Sequence, residues 1–447
     1  MPEHPPTPVH PVPLRRGEVE EALTRLLPSE KIEQFARETG FVRRERKVHP
    51  VAFLWVLVLD FGVELHRHLQ ELKEGYVERT DLPVSYPGFY LRFTPELSKF
   101  LKQCLEWALA ELAHEPGREL DPKLAAFDDL LLKDSSVVRL HASLATKWPA
   151  TRSRKVAAGV KVDMLISVRA NGPKSLALVG ERTADVKLLK VGAWVKNRIL
   201  LFDLGYYAHR LFAKIAEWGG FFVSRLKASA DPLFVRSITV HRGRAVDLEG
   251  QRLSEVLPRL DRRVLDAEVE LTFKRRVYSG RRSSDTFRCR LVAVWNEEAR
   301  KYHLYLTNIG ADILSAEEVA SLYSMRWEVE LCFRELKSSY ALDKFRTTNP
   351  DVVEALIWSA LLTLVVGRRL HSLIRRRAPP ELRPRYTQLR FAIHFRRGAR
   401  HVLACLLDHL GFEGASAANH RGMNLYLVTE ALDPHINRRR FREAWSR

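Results

Sequence analysis

Residues 323–337 read YSMRWEVELCFRELK, in which four polar side chains are spaced as Y-(2)-R-(3)-E-(6)-K. They are Tyr323, Arg326, Glu330 and Lys337. At about 3.6 residues per turn, offsets of three, seven and fourteen residues place them within an arc of roughly 60° on one face of a helix. Charged residues at such offsets commonly form a solvated face with helical ion pairs, and the periodicity alone favours that interpretation.

The same stretch also carries an apolar face. Five apolar positions gather on a side of the predicted helix that differs from the polar one: Leu322, Val329, Phe333, Leu336 and Tyr340. A helix of this kind buries its apolar side against a core and leaves its polar side available. The sequence therefore predicts one amphipathic helix through 323–337 that presents a polar stripe.

Two aspartates interrupt segments that otherwise have the pattern of buried strands. Asp134 lies within residues 130–140, LLLKDSSVVRL, and Asp203 lies within residues 198–207, RILLFDLGYY. An unpaired carboxylate is costly to bury, and the carboxyl ends of strands in α/β sheets are where binding sites gather. Either aspartate can instead cap the turn that follows it, which is the usual role of a lone aspartate at a strand end. With Glu330, they are the candidate site residues.

The N-terminal part is predicted to be helical after a proline-rich tail. Residues 1–16 hold six prolines and are expected to be a disordered tail. Residues 17–120 are predicted to form a helical DNA-binding domain. Its expected helices are one from 18 to 39 closed by Gly40, one from 50 to 73 closed by Gly75, and one that opens at Thr94 and Pro95. The basic residues between the first two helices, Arg43, Arg44, Arg46 and Lys47, suit a DNA contact or a solvated loop equally well.

The pattern changes after Asp121 to β-branched and aliphatic runs. We predict strands at 130–140, 159–168, 175–179, 199–204 and 220–226, with a helix over 208–218 before the last of them. Strand-like alternation continues through 229–307, and the chain is helical again from Ser315. The predicted parts are a core from 121 to 228, a β-rich insertion from 229 to 307, a second core part with the glutamate helix from 308 to 378, and a basic C-terminal region from 379 to 447, which ends in Arg438, Arg439 and Arg440.

The charge of the chain indicates a polyanionic partner. Lysine and arginine number 73 against 54 acidic residues, which gives a formal charge of +19, and the isoelectric point is near 9.9. Nucleic acid and anionic membranes both bind such a basic surface favourably. The longest nearly apolar run, 355–366, is shorter than the roughly 20 residues that cross a bilayer, so we predict a buried helix there. No signal peptide is recognised, and the four scattered cysteines are expected to be buried, reduced thiols. These features favour a cytoplasmic, nucleic-acid-binding protein.

These motifs resemble those of the insertion-sequence-four family of bacterial DDE transposases, whose signature is the tyrosine, arginine, glutamate and lysine spacing. The resemblance spans about residues 125–345. The first catalytic motif of that family is similar to Asp134-Ser135-Ser136, the second to residues 203–206, DLGY, and a later strand motif to residues 222–227, FVSRLK. Leu204 stands where the family often has arginine.

The resemblance implies an α/β fold with a ribonuclease-H-like catalytic core, an all-β insertion and helical regions at both ends. It also implies that Asp134, Asp203 and Glu330 hold two Mg²⁺ ions, for which Mn²⁺ can substitute. Two such ions can activate a nucleophile and stabilise the leaving oxygen of a phosphodiester. The implied DNA contacts are Tyr323, Arg326, Lys337, Arg225 and Lys227, and Trp295 is the candidate platform for a flipped base.

The function so implied is that of a DNA transposase that binds terminal inverted repeats, cuts the transposon ends through hairpin intermediates and joins them to target DNA. Its partners would be double-stranded DNA and a second copy of the chain in the synaptic complex, within the bacterial nucleoid and away from membranes. Two alternatives are a DNA-binding repressor without catalysis and a metal-dependent nuclease of the same fold without strand transfer.

Overall fold

The computed structural model describes residues 10–44, 48–63, 68–114, 119–151, 157–238, 240–241, 244–245, 247–274, 284–340, 342, 345, 347–412 and 420–433. Most of the predicted proline-rich tail lies outside the described residues. So do the predicted basic positions Arg46 and Lys47 and the run from Arg438 to Arg440.

Thirteen α-helices and eleven strands are formed by the described residues. The helices are α1 (Glu18–Leu26), α2 (Ser29–Glu38), α3 (Pro50–Val56), α4 (Leu69–Thr80), α5 (Tyr86–Tyr90), α6 (Pro95–His114), α7 (His209–Glu217), α8 (Leu253–Val256), α9 (Ala316–Ser324), α10 (Trp327–Ser338), α11 (Pro350–Arg377), α12 (Gln388–His409) and α13 (His420–Asn424). The strands are β1 (Asp129–Leu140), β2 (Ala158–Ser167), β3 (Gly172–Gly180), β4 (Arg198–Phe202), β5 (Phe221–Arg225), β6 (Leu233–Ser237), β7 (Val240–His241), β8 (Arg244–Ala245), β9 (Val264–Lys274), β10 (Ser284–Asn296) and β11 (Lys301–Thr307).

Nine of the strands form one mixed sheet. Its order is β3-β2-β1-β4-β5-β11-β10-β9-β6. The pairs β1–β4 and β4–β5 are parallel and the other pairs are antiparallel. The strand that carries Asp134 is therefore flanked on both sides by other strands, as its apolar sequence predicts.

Helices cover both faces of this sheet. On one face, α9 and α10 pack against the strands, and the N-terminal and C-terminal helices form a single large core with them. On the other face, α7 packs against β5 and β9 around a second core. The strand predictions for 130–140, 159–168, 175–179, 199–204 and 220–226 are confirmed to within three residues at each end, and the helix prediction for 208–218 is confirmed as well.

Two of the predicted N-terminal helices are wrong in extent. The predicted helix over 18–39 is two helices, because Leu27 precedes Pro28 and adopts φ −137° and ψ 85°, outside the helical region. The predicted helix over 50–73 also divides: α3 passes into a π-helical turn, Leu57–Phe61, and α4 begins at Leu69 and continues through Gly75 to Thr80. The helix predicted to open at Pro95 is confirmed.

The strands of residues 229–307 extend the main sheet. β11 pairs with β5 through Tyr305 and Arg225, and β10, β9 and β6 follow outward. The N-terminal helices likewise share one core with α11 and α12. Both the sheet and this core continue across the predicted domain boundaries. The division of the chain into separate domains at those boundaries stays a prediction.

The apolar run at 355–366 lies in α11, as expected for a buried helix. This helix is long and apolar enough to cross a membrane by length and composition, yet 83% of its most apolar window is buried inside the protein. Such burial is typical of a core helix. All four cysteines are free thiols and buried, as predicted.

Candidate active site

The three predicted carboxylates line one open cleft of about 720 Å³. Asp134 is on β1, and Asp203 directly follows β4. Lys133 pairs with Phe202 in the parallel register, so the two aspartates are the next residues of neighbouring strands, whose backbones are about 4.8 Å apart. Because Asp203 keeps an extended backbone (φ −78°, ψ 168°), both side chains project to the same side of the sheet. Glu330 joins them from the first turn of α10, which packs on β1.

Arg326 lies between two of these carboxylates. Its Nη2 is 2.6 Å from Glu330 Oε1, and its Nη1 is 3.7 Å from Asp134 Oδ2. Its Nε is buried and has no hydrogen-bond partner among the described residues. The guanidinium also lies over the Tyr323 ring, 5.8 Å from the ring centroid. Arg326 is thus the counter-ion of the carboxylate cluster in this structure.

The surroundings of Asp134 make its carboxyl group a weaker acid than that of an ordinary aspartate. Burial raises its pKa from 3.8 to about 6. The hydrogen bond from the Ser135 amide and the charge of Arg326 oppose this shift, and the negative charges of Asp203 and Glu330 add to it. The three carboxyl groups therefore influence one another electrostatically.

The donor set suits a hard cation, but the described arrangement is not a preformed metal site. Carboxylate oxygens are the ligands that Mg²⁺ prefers in proteins. Among the described residues, however, no three His, Cys, Asp or Glu side chains converge closely enough to hold an ion. Arg326 supplies the positive charge between Asp134 and Glu330 instead.

The prediction of one continuous helix through 323–337 is wrong at Met325 and Arg326. α9 ends at Ser324 and α10 begins at Trp327. Between them the backbone tightens into i to i−3 hydrogen bonds, from the Arg326 amide to the Tyr323 carbonyl and from the Val329 amide to the Arg326 carbonyl. The predicted apolar face is nevertheless buried, including Leu322, Val329, Phe333, Leu336 and Tyr340.

Tyr323, on the other side of this break, contacts Arg326 but does not line the cleft that holds Glu330 and Lys337. Tyr323 is 6% exposed, and its hydroxyl donates to the Phe202 carbonyl at 3.4 Å. Burial raises its pKa to about 12, so the hydroxyl remains a donor. In this structure Tyr323 therefore ties α9 to the end of β4, just before Asp203. A phosphate contact of Tyr323 stays a prediction.

Lys337 and Arg334 lie along the cleft beyond Glu330. Both line the same cavity as the three carboxylates. Lys337 Nζ donates to the Val137 carbonyl at 3.3 Å, and Arg334 lies over the ring of the exposed Trp327 at 5.9 Å. Sequence reasoning missed Arg334 and Trp327, since neither belongs to the four-residue spacing. Arg334 and Trp327 place a cation and an aromatic ring beside the cleft that holds the three carboxylates.

The remaining predicted DNA contacts lie at the same edge of the sheet. Arg225 ends β5 and Lys227 follows it, and both are exposed. Trp295 is half-buried near the end of β10, where its ring meets Tyr302 edge-on at 5.0 Å and its Nε1 donates to Glu297. Because β11 and β10 continue the sheet from β5, these residues lie at the same end of the strands as Asp203. Trp295, however, is three positions beyond the level of Asp203, and it packs with Tyr302 on the face of the sheet opposite the three carboxylates.

A buried polar network on the opposite side of β1 was not predicted. Lys133 forms an ion pair with Asp163, and the Tyr206 hydroxyl donates to the same carboxylate at 3.0 Å. Burial lowers the pKa of Lys133, and Asp163 opposes that change. The network ties β1 and β2 to the turn after Asp203. Of the residues in this network, only Tyr206 belongs to a motif recognised in the sequence, residues 203–206.

A second unpredicted network anchors α10. The Glu335 carboxylate accepts two hydrogen bonds from Arg368 of α11, at 3.2 and 2.5 Å, and one from the Tyr340 hydroxyl at 3.0 Å. Glu335 and Arg368 are each 4% exposed. Because Glu335 lies on the side of α10 away from Glu330, this ion pair fixes the rotation of the helix about its axis and so the direction of Glu330.

The predicted basic loop is described in part. Arg43 and Arg44 are exposed and line two adjoining clefts, with Arg37 in one and Arg92 in the other. The clefts hold about 430 and 340 Å³. The surface has the charge expected of a nucleic-acid contact, which stays a prediction.

Comparison with known proteins points to a single family. The family model described as "Transposase DDE domain" matches residues 125–366. The chain is similar to the transposase for insertion sequence element IS231B of Bacillus thuringiensis subsp. berliner, with 20% identity over 391 residues that cover 77% of this chain and 78% of the relative. It is likewise similar to the transposase for IS231D of subsp. finitimus, with 21% identity over 376 residues that cover 77% of each.

A shorter match has higher identity. The chain is 38% identical over 98 residues to InsL of insertion sequence element IS186A from Escherichia coli K12, and the match covers 22% of this chain and 25% of that relative.

Proposed function

The chain belongs to the transposase DDE domain family, and from this membership we propose that it is a DNA transposase that binds terminal inverted repeats, cuts the transposon ends and joins them to target DNA. The observation that carries the proposal is the meeting of Asp134, Asp203 and Glu330 in one open cleft of a strongly basic protein. Relatives named as transposases match over more than three quarters of both chains.

The catalytic core is proposed to be ribonuclease-H-like. The strand order β3-β2-β1-β4-β5 supports this assignment, since only β2 of these five strands runs opposite to the others. So does the distribution of the site residues, which are on the first strand, after the fourth and on a late helix. The extension of the sheet through residues 229–307 would then present Trp295 and its neighbours to the DNA end.

Asp134, Asp203 and Glu330 would hold two Mg²⁺ ions, or Mn²⁺ in their place. When bound, such ions activate the attacking oxygen and stabilise the leaving oxygen of an in-line displacement at phosphorus. Asp134 must be deprotonated to act as a ligand, and because burial raises its pKa to about 6 in the absence of metal, metal ions would compete with a proton for this carboxylate at low pH. No covalent enzyme intermediate is required.

The cations around the cleft would position the DNA. Arg334 and Lys337 line the cleft beyond Glu330 and would contact backbone phosphates there. Arg225 and Lys227 would contact the backbone on the other side of Asp203, at the exposed end of β5. We place the cut strand between these two pairs. Hairpin formation at the ends would use Trp295 as the platform for the displaced base.

The protein would act as a dimer when two transposon ends are brought together, in the bacterial cytoplasm and on the nucleoid. The basic surface at Arg43 and Arg44 would help the N-terminal helices hold the inverted repeat. Neither role requires the protein to be dimeric in the absence of DNA.

The test is to incubate the protein with duplexes that carry its flanking inverted repeats and Mg²⁺, and to follow nicking, hairpin ends and strand transfer on denaturing gels. We expect Asp134→Asn, Asp203→Asn and Glu330→Gln to abolish cutting while end binding in gel-shift assays is retained. Binding without cutting by the wild-type chain would favour a repressor. Cutting without strand transfer would favour a nuclease.

A further inference from the structure

We propose that Arg326 is an internal counter-cation that excludes metal from the carboxylate cluster until a DNA phosphate draws its guanidinium away, so that metal and DNA bind cooperatively. This inference rests on the proposed function, because it concerns the same three carboxylates. It differs from a fixed phosphate clamp, since it makes one side chain the link between two ligands.

The geometry first shows that Arg326 and a metal ion would share ligand atoms. Arg326 Nη2 is 2.6 Å from Glu330 Oε1, and Nη1 is 3.7 Å from Asp134 Oδ2. A magnesium ion would need carboxylate oxygens at about 2.1 Å. A guanidinium between the same two carboxylates therefore competes with the ion for lone pairs and repels it electrostatically. Binding of Arg326 and binding of a metal ion at Asp134 and Glu330 are therefore mutually unfavourable in this arrangement.

The hold of the carboxylates on Arg326 is also incomplete. The contact between the guanidinium and Asp134 is long, at 3.7 Å, whereas that with Glu330 is 2.6 Å. The Nε is buried without a hydrogen-bond partner among the described residues. A phosphate can accept two parallel hydrogen bonds from one guanidinium. A DNA phosphate at the cleft would therefore satisfy Arg326 better than the carboxylates do.

The position of Arg326 in the chain allows this exchange. It lies in the tight turn between α9 and α10, outside the regular hydrogen bonding of either helix. Its side chain is 16% exposed and stands beside an open cleft. Departure of the guanidinium would leave Asp134, Asp203 and Glu330 with no cation between them, which raises their affinity for divalent metal. By thermodynamic reciprocity, bound metal would strengthen phosphate binding by the same factor.

The experiment measures Mn²⁺ binding to the full chain by electron paramagnetic resonance of free Mn²⁺, with and without a duplex that carries the inverted repeat. Wild-type chain, Arg326→Ala, Arg326→Lys and Arg334→Ala are compared. Arg334 is the matched control for the measurement without DNA, because it lines the cleft of the three carboxylates and forms no ion pair with the residues that the structure describes. Far-ultraviolet circular dichroism checks that each variant is folded.

Without DNA, we expect Arg326→Ala to bind Mn²⁺ about tenfold more tightly than the wild type, within the usual range of coupling between sites. Arg326→Lys keeps the cation and should bind Mn²⁺ weakly, and Arg334→Ala should stay within about threefold of the wild type. DNA should raise the Mn²⁺ affinity of the wild type and leave that of Arg326→Ala unchanged.

Equal Mn²⁺ affinity in the wild type and Arg326→Ala would overturn the inference and leave the proposed function intact. An equal gain in Arg334→Ala would also overturn it, since general charge would then explain the effect. If no folded variant bound Mn²⁺ at all, with or without DNA, the proposed two-metal function itself would be contradicted.

Discussion

Replacing Asp134 with asparagine should remove activity and at the same time stabilise the protein near neutral pH. Burial raises the pKa of Asp134 from 3.8 to about 6, so the folded state binds a proton more tightly than the unfolded chain does. Stability therefore falls as pH rises from about 4 to 6, and above that range the ionised carboxylate remains a net cost. The difference between the two pKa values corresponds to about 3 kcal/mol at pH 7. The uncharged amide of the Asp134→Asn variant avoids this cost.

The assay is equilibrium urea denaturation of the wild type and Asp134→Asn between pH 4 and pH 8, in the presence of a metal chelator. We expect the variant to be more stable by about 3 kcal/mol at pH 7 and the difference to shrink towards zero near pH 4. Asp312→Asn is a suitable control, because Asp312 is exposed. A variant as stable as the wild type at pH 7, or an advantage that did not change with pH, would refute the electrostatic account of Asp134.

Three other substitutions probe separate features. Glu335→Gln should leave Arg368 without its counter-ion in the core and lower the free energy of unfolding by about 3 to 5 kcal/mol in the same urea assay. The double variant Glu335→Leu with Arg368→Met should recover most of that loss. An unchanged free energy of unfolding in Glu335→Gln would show that the ion pair does not stabilise the fold. Lys337→Ala should weaken binding to the transposon ends and lower the steepness of its salt dependence, measured as the slope of log K for DNA binding against log salt concentration, by about one. An unchanged slope would show that Lys337 does not contact a DNA phosphate. Trp295→Ala should lower the yield of hairpin ends on denaturing gels while the first nick is retained, and an unchanged yield would exclude Trp295 as the platform.

Much of the catalytic face could be predicted from the sequence because its signals are local. The alternation of apolar residues located the strands that carry Asp134 and precede Asp203, and the helical spacing identified Glu330 and Lys337. Each signal depends on residues close together in the chain. A likeness in spacing to a known family then brought the three carboxylates together, which the pattern of one segment alone cannot do.

The features that the sequence did not reveal depend on contacts between distant residues. The partner of Glu335 is 33 positions away at Arg368, and the partner of Lys133 is 30 positions away at Asp163. The break at Met325 has no local signal, since both sides of it have strong helical patterns and no glycine or proline marks it. The division of the first predicted helix does have one, because Pro28 restricts the backbone of Leu27.

The continuous sheet sets the distance between the three carboxylates and Trp295. β4 and β10 are separated by three strand-to-strand steps, through β5 and β11, which amounts to about 14 Å across the sheet. The register also places Trp295 three residues beyond the level of Asp203, about 10 Å along the strands, so that the backbones of the two residues are about 17 Å apart. That is close to the rise of about five base pairs of duplex DNA. Backbone hydrogen bonds set this spacing, so changes in loop length elsewhere would leave it intact, whereas inserting or deleting a strand would move the aromatic ring relative to the scissile bond.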